Sequence, residues 1–278
     1  MKLQAFLPLV TYPDSNSDAI AANATAMAKY LEASLHAEAF NADIPDVSNV
    51  LSKLLLKLPE LIREAEATSR RRGEHLLEKV REEAAKGDVS LTTGVSSAAL
   101  AMISEAAAAD ARYFDISLVG WEAGNPTSRA LAEAVVFGSG RPAVLLPEAV
   151  AIGSIGHVAI AWDGSRVAAR AVADARVFLD RSSKVTVLTV IDEKPLKERD
   201  GAERLAENLR KRGLAAEANF LHAEDCPIGI SLQQHAIERG ANLLVMGGFG
   251  HSLVRDFVLG GATEDVLDDP QLPVLFSH

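Results

Sequence analysis

Val245-Met-Gly-Gly-Phe-Gly-His-Ser252, continued after an intervening segment by Gly260-Gly-Ala-Thr263, is the stretch that decides the fold. Its apolar start, 242–246, predicts a buried strand. The glycines that follow predict a loop, and Thr263 opens a helical pattern. A strand, a glycine loop and a helix in this order are typical of an α/β fold with a parallel sheet.

The same stretch has two interpretations. Backbone N–H groups of a glycine loop and of a helix N-terminus converge on one point, which suits the phosphates of a nucleotide. The stretch could equally be a tight strand-to-helix turn with Thr263 as the helix N-cap. Spacing alone does not separate the two, because short glycine patterns also occur by chance.

Composition limits the classes of function. The chain has 278 residues, enough for two domains, and a formal net charge of −10, which disfavours nucleic acid as a partner. Cys226 is the only cysteine, which excludes an intramolecular disulfide and fits the cytoplasm. No apolar run is long enough for a membrane span. We expect residues 3–10 to form a first strand rather than a signal peptide, because Pro8 interrupts the apolar run.

The two halves of the chain share one order of elements. Gly140-Arg-Pro-Ala-Val-Leu-Leu-Pro147 parallels Pro270-Gln-Leu-Pro-Val-Leu-Phe276, and Leu118-Val-Gly120 parallels Val245-Met-Gly247. Alternating strands and helices predict a doubly wound, Rossmann-like parallel sheet in each half. We predict domains at 1–147 and 157–278, joined by a linker at 148–156. Predicted strands lie at 3–10, 34–40, 89–93, 116–120, 143–146, 158–162, 184–191, 215–221, 242–246 and 271–276, and predicted helices at 19–35, 47–85 with a division or kink at Pro59, 96–110, 127–137, 167–179, 202–212, 228–239 and 262–267.

Two strand ends of the second half supply polar groups at one edge of this sheet. The first strand ends at Asp163, whose carboxylate can accept hydrogen bonds from a ribose hydroxyl or a base amine. The second ends at Thr189-Val-Ile191, whose backbone could contact an adenine edge. The glycine N–H groups and the Thr263 hydroxyl would hold the phosphates, and Mg²⁺ would bridge the phosphates largely through water.

In these motifs the chain resembles the universal stress protein family, in its tandem two-domain form. Nucleotide-binding members carry G-x2-G-x9-G-[ST], which Gly247, Gly250 and Gly260 match, while Gly261 replaces the hydroxyl residue. The resemblance implies a stress-response protein whose C-terminal domain binds ATP, ADP or AMP. It also implies that strands 143–146 and 274–276 pair, making an intramolecular pseudo-dimer. The residues assigned to the nucleotide are Trp162, Asp163, Val190, Met246, Gly247, Gly250, His251, Gly260, Gly261, Ala262 and Thr263.

The first half departs from that pattern. Gly120-Trp-Glu-Ala-Gly-Asn125 lacks the later glycine pair, and Glu122 brings a negative charge to the place of the phosphates. We therefore predict that this domain does not bind ATP in the same way. Asp14 occupies the position equivalent to Asp163, and we expect it to cap the next helix rather than to keep a partial site.

Other functions stay open at this stage. Slow ATP hydrolysis is compatible with the motifs, but no residue is an evident base, so we assign no catalytic residue. A nucleotide-free interaction protein, with a protein partner or as a homodimer, is the main alternative. A weak metal-dependent hydrolase would need ligands among His222, Asp225, Cys226 and His251, whose spacing matches no strong zinc pattern. Trp162 and Trp121 also suit packing beside strand ends.

Overall fold

The computed structural model describes residues 2–45, 58–192, 200–222, 226–248, 250–251, 258–259 and 261–278, with 250–251 and 258–259 as backbone only. The chain divides into two compact units, 1–139 and 140–278. None of the helices in these ranges is long and apolar enough to cross a bilayer.

Unit 1 contains a parallel sheet in the order β3-β2-β1-β4. Its core includes the fully buried rings of Phe6 and Phe40. The elements are β1 (Gln4–Val10), α1 (Ala19–Tyr30), β2 (Ser34–Asp43), α2 (Leu58–Gly87), β3 (Leu91–Ala99), a 3₁₀ turn (Leu100–Met102), α3 (Ile103–Ala111), β4 (Ile116–Trp121) and α4 (Pro126–Gly138).

Unit 2 contains a sheet in the order β5-β12-β9-β6-β7-β8. The strands from β12 to β8 are mutually parallel, and β5 pairs antiparallel with β12. The elements are β5 (Ala143–Pro147), β6 (His157–Ala161), α5 (Arg166–Asp174), α6 (Arg176–Leu179), β7 (Lys184–Val190), α7 (Gly201–Lys211), β8 (Ala216–Leu221), α8 (Ile228–Glu238), β9 (Leu243–Gly247), β10 (Gly250–His251), β11 (Val258–Leu259), α9 (Gly261–Asp268) and β12 (Val274–Ser277).

The predicted α/β class and the parallel sheets are confirmed. The expected pairing of the two final strands is also confirmed: Leu145 lies opposite Val274, and Ala143 lies opposite Phe276. The strand at 143–147 is grouped with the second unit, which begins at Gly140.

One boundary in the first half was predicted wrongly. Residues 96–99 were assigned to a helix, but they continue β3, where Ser96 lies opposite Phe40 and Ala99 opposite Asp43. Pairing with β2 outweighs the helix propensity of alanine here. Pro59 is the second residue of α2 as described, so the division or kink predicted at Pro59 stays a prediction. Positions 47–57 of the predicted long helix lie outside the described residues.

Candidate functional site

The carboxyl ends of β6 and β9 meet at the centre of the second sheet. The two strands are parallel neighbours, with Val158 opposite Leu243 and Ile160 opposite Val245. From β6 the chain proceeds to β7 and β8 on one side, and it then returns to β9 on the other side. This reversal is the topological switch point, where open α/β sheets bind their ligands in a crevice beyond the strand ends.

Asp163 is held at this edge by a tight turn. Its Oδ1 accepts a hydrogen bond from the Ser165 N–H at 2.9 Å, and Gly164 has φ +73°. Ser165 is the N-cap of α5, and its Oγ accepts from the Ala168 N–H at 3.1 Å. The turn places a half-buried carboxylate beside the end of β6.

Gly247, the last residue of β9, touches the first turn of α5. A Cβ at this position would lie 2.6 Å from the carbonyl carbon of Val167 and 2.7 Å from the Ala168 nitrogen. No other residue fits without moving the helix away from the strand. Gly247 is therefore required for packing, whatever it does for a ligand. The preceding Met246 is only 4 % exposed and belongs to the core.

Strand β7 extends beyond the end of β6. The last pair between them joins Ala161 to Leu188, whereas β7 continues beside β8 to Val190, opposite Leu221. The Thr189 hydroxyl donates to the Trp162 carbonyl at 2.7 Å and fixes the backbone where β6 ends. The backbone at Val190 thus lies beyond the last strand pair with β6, although its side chain is 8 % exposed.

The second glycine segment leads into α9. Gly250 and His251 pair with Leu259 and Val258 in a short antiparallel ladder. Gly260 lies outside the described residues. Gly261 begins α9 and is exposed, and a Cβ added to it would meet no atom of the described residues within 4 Å.

The two residues that follow differ in exposure. Ala262 is half-buried, and Thr263 is 2 % exposed. The Thr263 side chain, in the first turn of α9, is therefore buried. Gly261 is the position at which a side chain would meet open space.

Sequence reasoning missed Gly229, which positions α9. A Cβ at Gly229 would lie 2.7 Å from the Ala262 carbonyl oxygen and 2.9 Å from the Val266 nitrogen. The Gly229 N–H donates to Asp265 Oδ2 at 2.9 Å, so a carboxylate of α9 caps the start of α8. A glycine just inside a predicted helix was the available signal.

The Trp162 side chain lies in a different place from the loop residues. Its indole lines a groove between helices α5 and α7 on one face of the sheet. Its Nε1–H is buried and has no acceptor among the described residues. The predicted site residue thus brings its backbone carbonyl to the end of β6, and it also lines this groove.

The equivalent edge in unit 1 is closed by its own side chains. Asn125 caps α4, and its Oδ1 accepts from the N–H groups of Thr127 and Ser128 at 2.9 and 3.1 Å. Its Nδ2 donates to Glu122 Oε2 at 3.0 Å. The expectation that Asp14 caps the first helix was wrong: Asp18 is the N-cap of α1, and Asp14 is exposed. Asn16 Oδ1 instead fixes this loop, by accepting from the Val10 N–H at 2.8 Å.

The candidate metal ligands are not brought together in the part of the chain that is described, which holds no group of three His, Cys, Asp or Glu able to bind a metal. His222 Nδ1 lies 3.1 Å from Asp192 Oδ2. Cys226 Sγ lies 2.9 Å from Ser231 Oγ. Asp225 and the side chain of His251 lie outside the described residues.

A polar cluster occupies the opposite edge of the second sheet. His157 Nε2 lies 2.8 Å from Thr186 Oγ1, and Lys184 Nζ lies 2.9 Å from Glu217 Oε1. Burial, helped by the charge of Lys184, lowers the pKa of His157. The hydrogen bond from Lys184 lowers the pKa of Glu217. This cluster is at the amino ends of the strands and is separate from the crevice.

Comparison with known proteins identifies the second half. The model of the universal stress protein family matches residues 154–278. No protein of curated function matches the sequence significantly.

Solved structures extend the likeness in fold to the whole chain. The crystal structure of a universal stress protein from Archaeoglobus fulgidus DSM 4304 matches with a TM-score of 0.69 at 15% identity, over 98% of this chain and 97% of that one. A protein from Pseudomonas aeruginosa UCBPP-PA14, provisionally described as a universal stress protein, matches with a TM-score of 0.56 at 16% identity, over 99% and 93%. Residues 154–278 therefore match the universal stress protein family, in a chain that shares the fold of these solved structures over nearly its whole length.

Proposed function

We propose that the second domain binds an adenine nucleotide, ATP or a close relative, in the crevice between the carboxyl ends of β6 and β9. The chain would then act as a stress-response binding or signalling module. The observation that carries the proposal is the contact at Gly247, which brings the end of β9 against the first turn of α5, beside the Asp163 turn. A carboxylate and a strand end that leads into a glycine loop are thereby brought to one edge.

The residues present fit the parts of a nucleotide. Asp163 offers an acceptor for ribose hydroxyls, and the β7 backbone at Val190, which lies beyond the last pair with β6, would meet an adenine edge. The backbone around Gly250 and the N-terminus of α9 at Gly261 would hold the phosphates. In the proposal Mg²⁺ is carried by the phosphates and by water, since protein sites for this ion rarely supply all its ligands.

The first domain plays a different part in this proposal. The helix N-terminus at its equivalent edge is occupied by Asn125, with Glu122 hydrogen-bonded to the cap. An added phosphate would have to displace the cap and face that carboxylate. We therefore assign one nucleotide site to each chain.

The rival function is that of an interaction protein that binds no nucleotide. The packing role of Gly247 favours it, because that role needs no ligand. Calorimetric titration of the full chain with Mg-ATP separates the two. We expect one site per chain with a Kd in the micromolar range, about −8 kcal/mol. Heats no larger than those of dilution would favour the rival.

The variant that tests the site is Asp163→Ala, which removes the carboxylate. Because this change also removes the acceptor for the Ser165 N–H, the matched control is Ser165→Ala, which removes the α5 cap and leaves the carboxylate. We expect ATP binding to be weakened at least tenfold in the first variant only. Equal losses in both variants would show that Asp163 matters for the turn and not for the ligand.

A further inference from the structure

Helices α5 and α7 leave a groove open on one face of the second domain. Helix α5 packs on β9 and β12, whereas α7 packs on β7 and β8, so the groove runs between the two helices. Its volume is about 330 Å³. Its apolar wall includes Val172, Ala173, Leu179, Leu205 and Leu214, and we call it the α5–α7 groove.

The size of the groove limits what it can hold. Its volume equals that of roughly eleven water molecules, at about 30 Å³ each, and lies at the lower end of the range for small-molecule sites. Ala173 is exposed, and Leu205 and Leu214 are half-exposed, so apolar surface is open to a ligand. A molecule of about ten heavy atoms with an apolar body fits this space.

The polar residues that line the groove carry a net positive charge. They are Arg176, Asp180, Asn208 and Arg212. The Arg176 Nε donates to Asp180 Oδ2 at 3.3 Å, so these two charges offset one another. Arg212 is exposed, and no described side chain pairs with its guanidinium. Guanidinium groups bind carboxylates with two parallel hydrogen bonds. Asn208, four residues before Arg212, also lines the groove.

Trp162 also lines the groove, and its indole N–H is buried without an acceptor among the described residues. A buried donor that lacks a partner is uncommon in folded proteins. An oxygen-bearing ligand in the groove could satisfy this donor if the ring turned toward it, whereas a pure hydrocarbon could not. Both polar features of the groove therefore favour an anion with an apolar body.

We propose that the α5–α7 groove binds a small monocarboxylic acid of about ten heavy atoms with an apolar body. The carboxylate pairs with Arg212 and Asn208, and the apolar body lies along Val172, Ala173 and Leu205. This site is independent of the nucleotide proposal, because its ligand contacts neither Asp163 nor the glycine loop.

The test is an NMR titration of the full chain with octanoate, followed at the two indole N–H resonances. Trp121 lies in unit 1 and is 3 % exposed, so it serves as the internal reference, assigned with Trp121→Phe. We expect the Trp162 resonance to shift and saturate while that of Trp121 stays in place. Equal movement of both resonances, or no movement at about 10 mM octanoate, would overturn the proposal.

Two variants test the contacts. Ala173→Leu fills the groove at an exposed position, and we expect it to abolish the shift while the amide spectrum stays folded. Arg212→Gln should weaken binding about fivefold or more, whereas the neighbouring Lys211→Gln, which removes the same charge outside the groove, should change it less than about twofold. Octanol should bind more weakly than octanoate to the unaltered chain. Retained affinity in Ala173→Leu, or equal effects at 211 and 212, would count against the site.

Discussion

Gly247 and Gly261 belong to the same motif but meet different surroundings. At Gly247 the nearest atoms to a Cβ are backbone atoms of Val167 and Ala168, which cannot rotate away. At Gly261 a Cβ would meet none of the atoms that the structure describes within 4 Å, and the residue lies at the start of a helix. One glycine is required by packing, and the other leaves room for a side chain.

We predict that Gly247→Ala lowers the free energy of unfolding by about 3 kcal/mol, the upper part of the usual range for an overpacked core. Gly261→Ala should instead be neutral or stabilise by up to about 1 kcal/mol, because alanine restricts the unfolded chain. Urea unfolding of both variants measures the difference. A Gly247→Ala protein as stable as the wild type would contradict the contact with α5.

The hydroxyl that the nucleotide-binding pattern places at position 261 can be restored by Gly261→Ser. The structure offers space for it, whereas the nearby Thr263 is buried. We expect about five- to tenfold tighter ATP binding, the value of one added hydrogen bond of about 1 kcal/mol. Gly261→Ala is the control, and calorimetry is the measurement. An equal gain from alanine would show that the hydroxyl is not involved.

The crossing of α8 and α9 depends on Gly229, where the two helices approach within backbone contact. We predict that Gly229→Ala lowers the free energy of unfolding by about 1–3 kcal/mol, because Ala262 and Val266 would have to shift. Gly153→Ala is the control, since a Cβ at Gly153 meets nothing within 4 Å. Thermal unfolding of both proteins is the measurement. The prediction is wrong if the two variants melt together.

The order of elements could be predicted from sequence because the spacing of apolar residues within an element and the glycines between elements are local signals. The end of β3 could not. Residues Ser96 to Ala99 have the composition of a helix, and only their pairing with β2 makes them a strand. Likewise, Asp14 is of a residue type that often caps helices. The loop is instead fixed by the hydrogen bond from the Val10 N–H to Asn16.

The strand-end positions of the site could be predicted from sequence, but the directions of its side chains could not. The motif indicated Asp163 and Gly247 because each directly follows or ends a strand, and parallel strands bring such positions to one edge. Sequence spacing could not tell which side chains point into the core. Met246 and Thr263 are buried, and the ring of Trp162 lies in the α5–α7 groove. Gly229 was missed because its partners lie on another helix.

The stability of the whole molecule should depend on pH through His157. Burial lowers its pKa below the ordinary value of 6.5, so the folded state prefers the neutral ring and the unfolded state takes up the proton first. Its contribution is present above pH 6.5 and is lost as the pH falls toward the lower folded pKa. The lowered pKa of Glu217 acts only below its ordinary value of 4.5.

We therefore predict that the free energy of unfolding decreases as the pH falls below 6.5, and that His157→Gln flattens this part of the profile. Urea unfolding at half-unit intervals measures both proteins. Parallel profiles for the two proteins in this window would assign the pH dependence to other groups.

The side chain of Asn125 has a consequence for how each domain responds to its surroundings. It is an internal ligand that cannot diffuse away, so unit 1 keeps its helix terminus satisfied at every nucleotide concentration. If the proposed function is right, the corresponding helix N-terminus in unit 2 is satisfied by the phosphates of a nucleotide from solution. Excess ATP at about a hundred times the Kd should stabilise it by about 2.7 kcal/mol. Calorimetric scans with and without ATP should therefore show the nucleotide acting on only one of the two halves. In such a chain the stability of one domain depends on the concentration of free ATP, whereas the stability of the other domain, which has the same fold, does not.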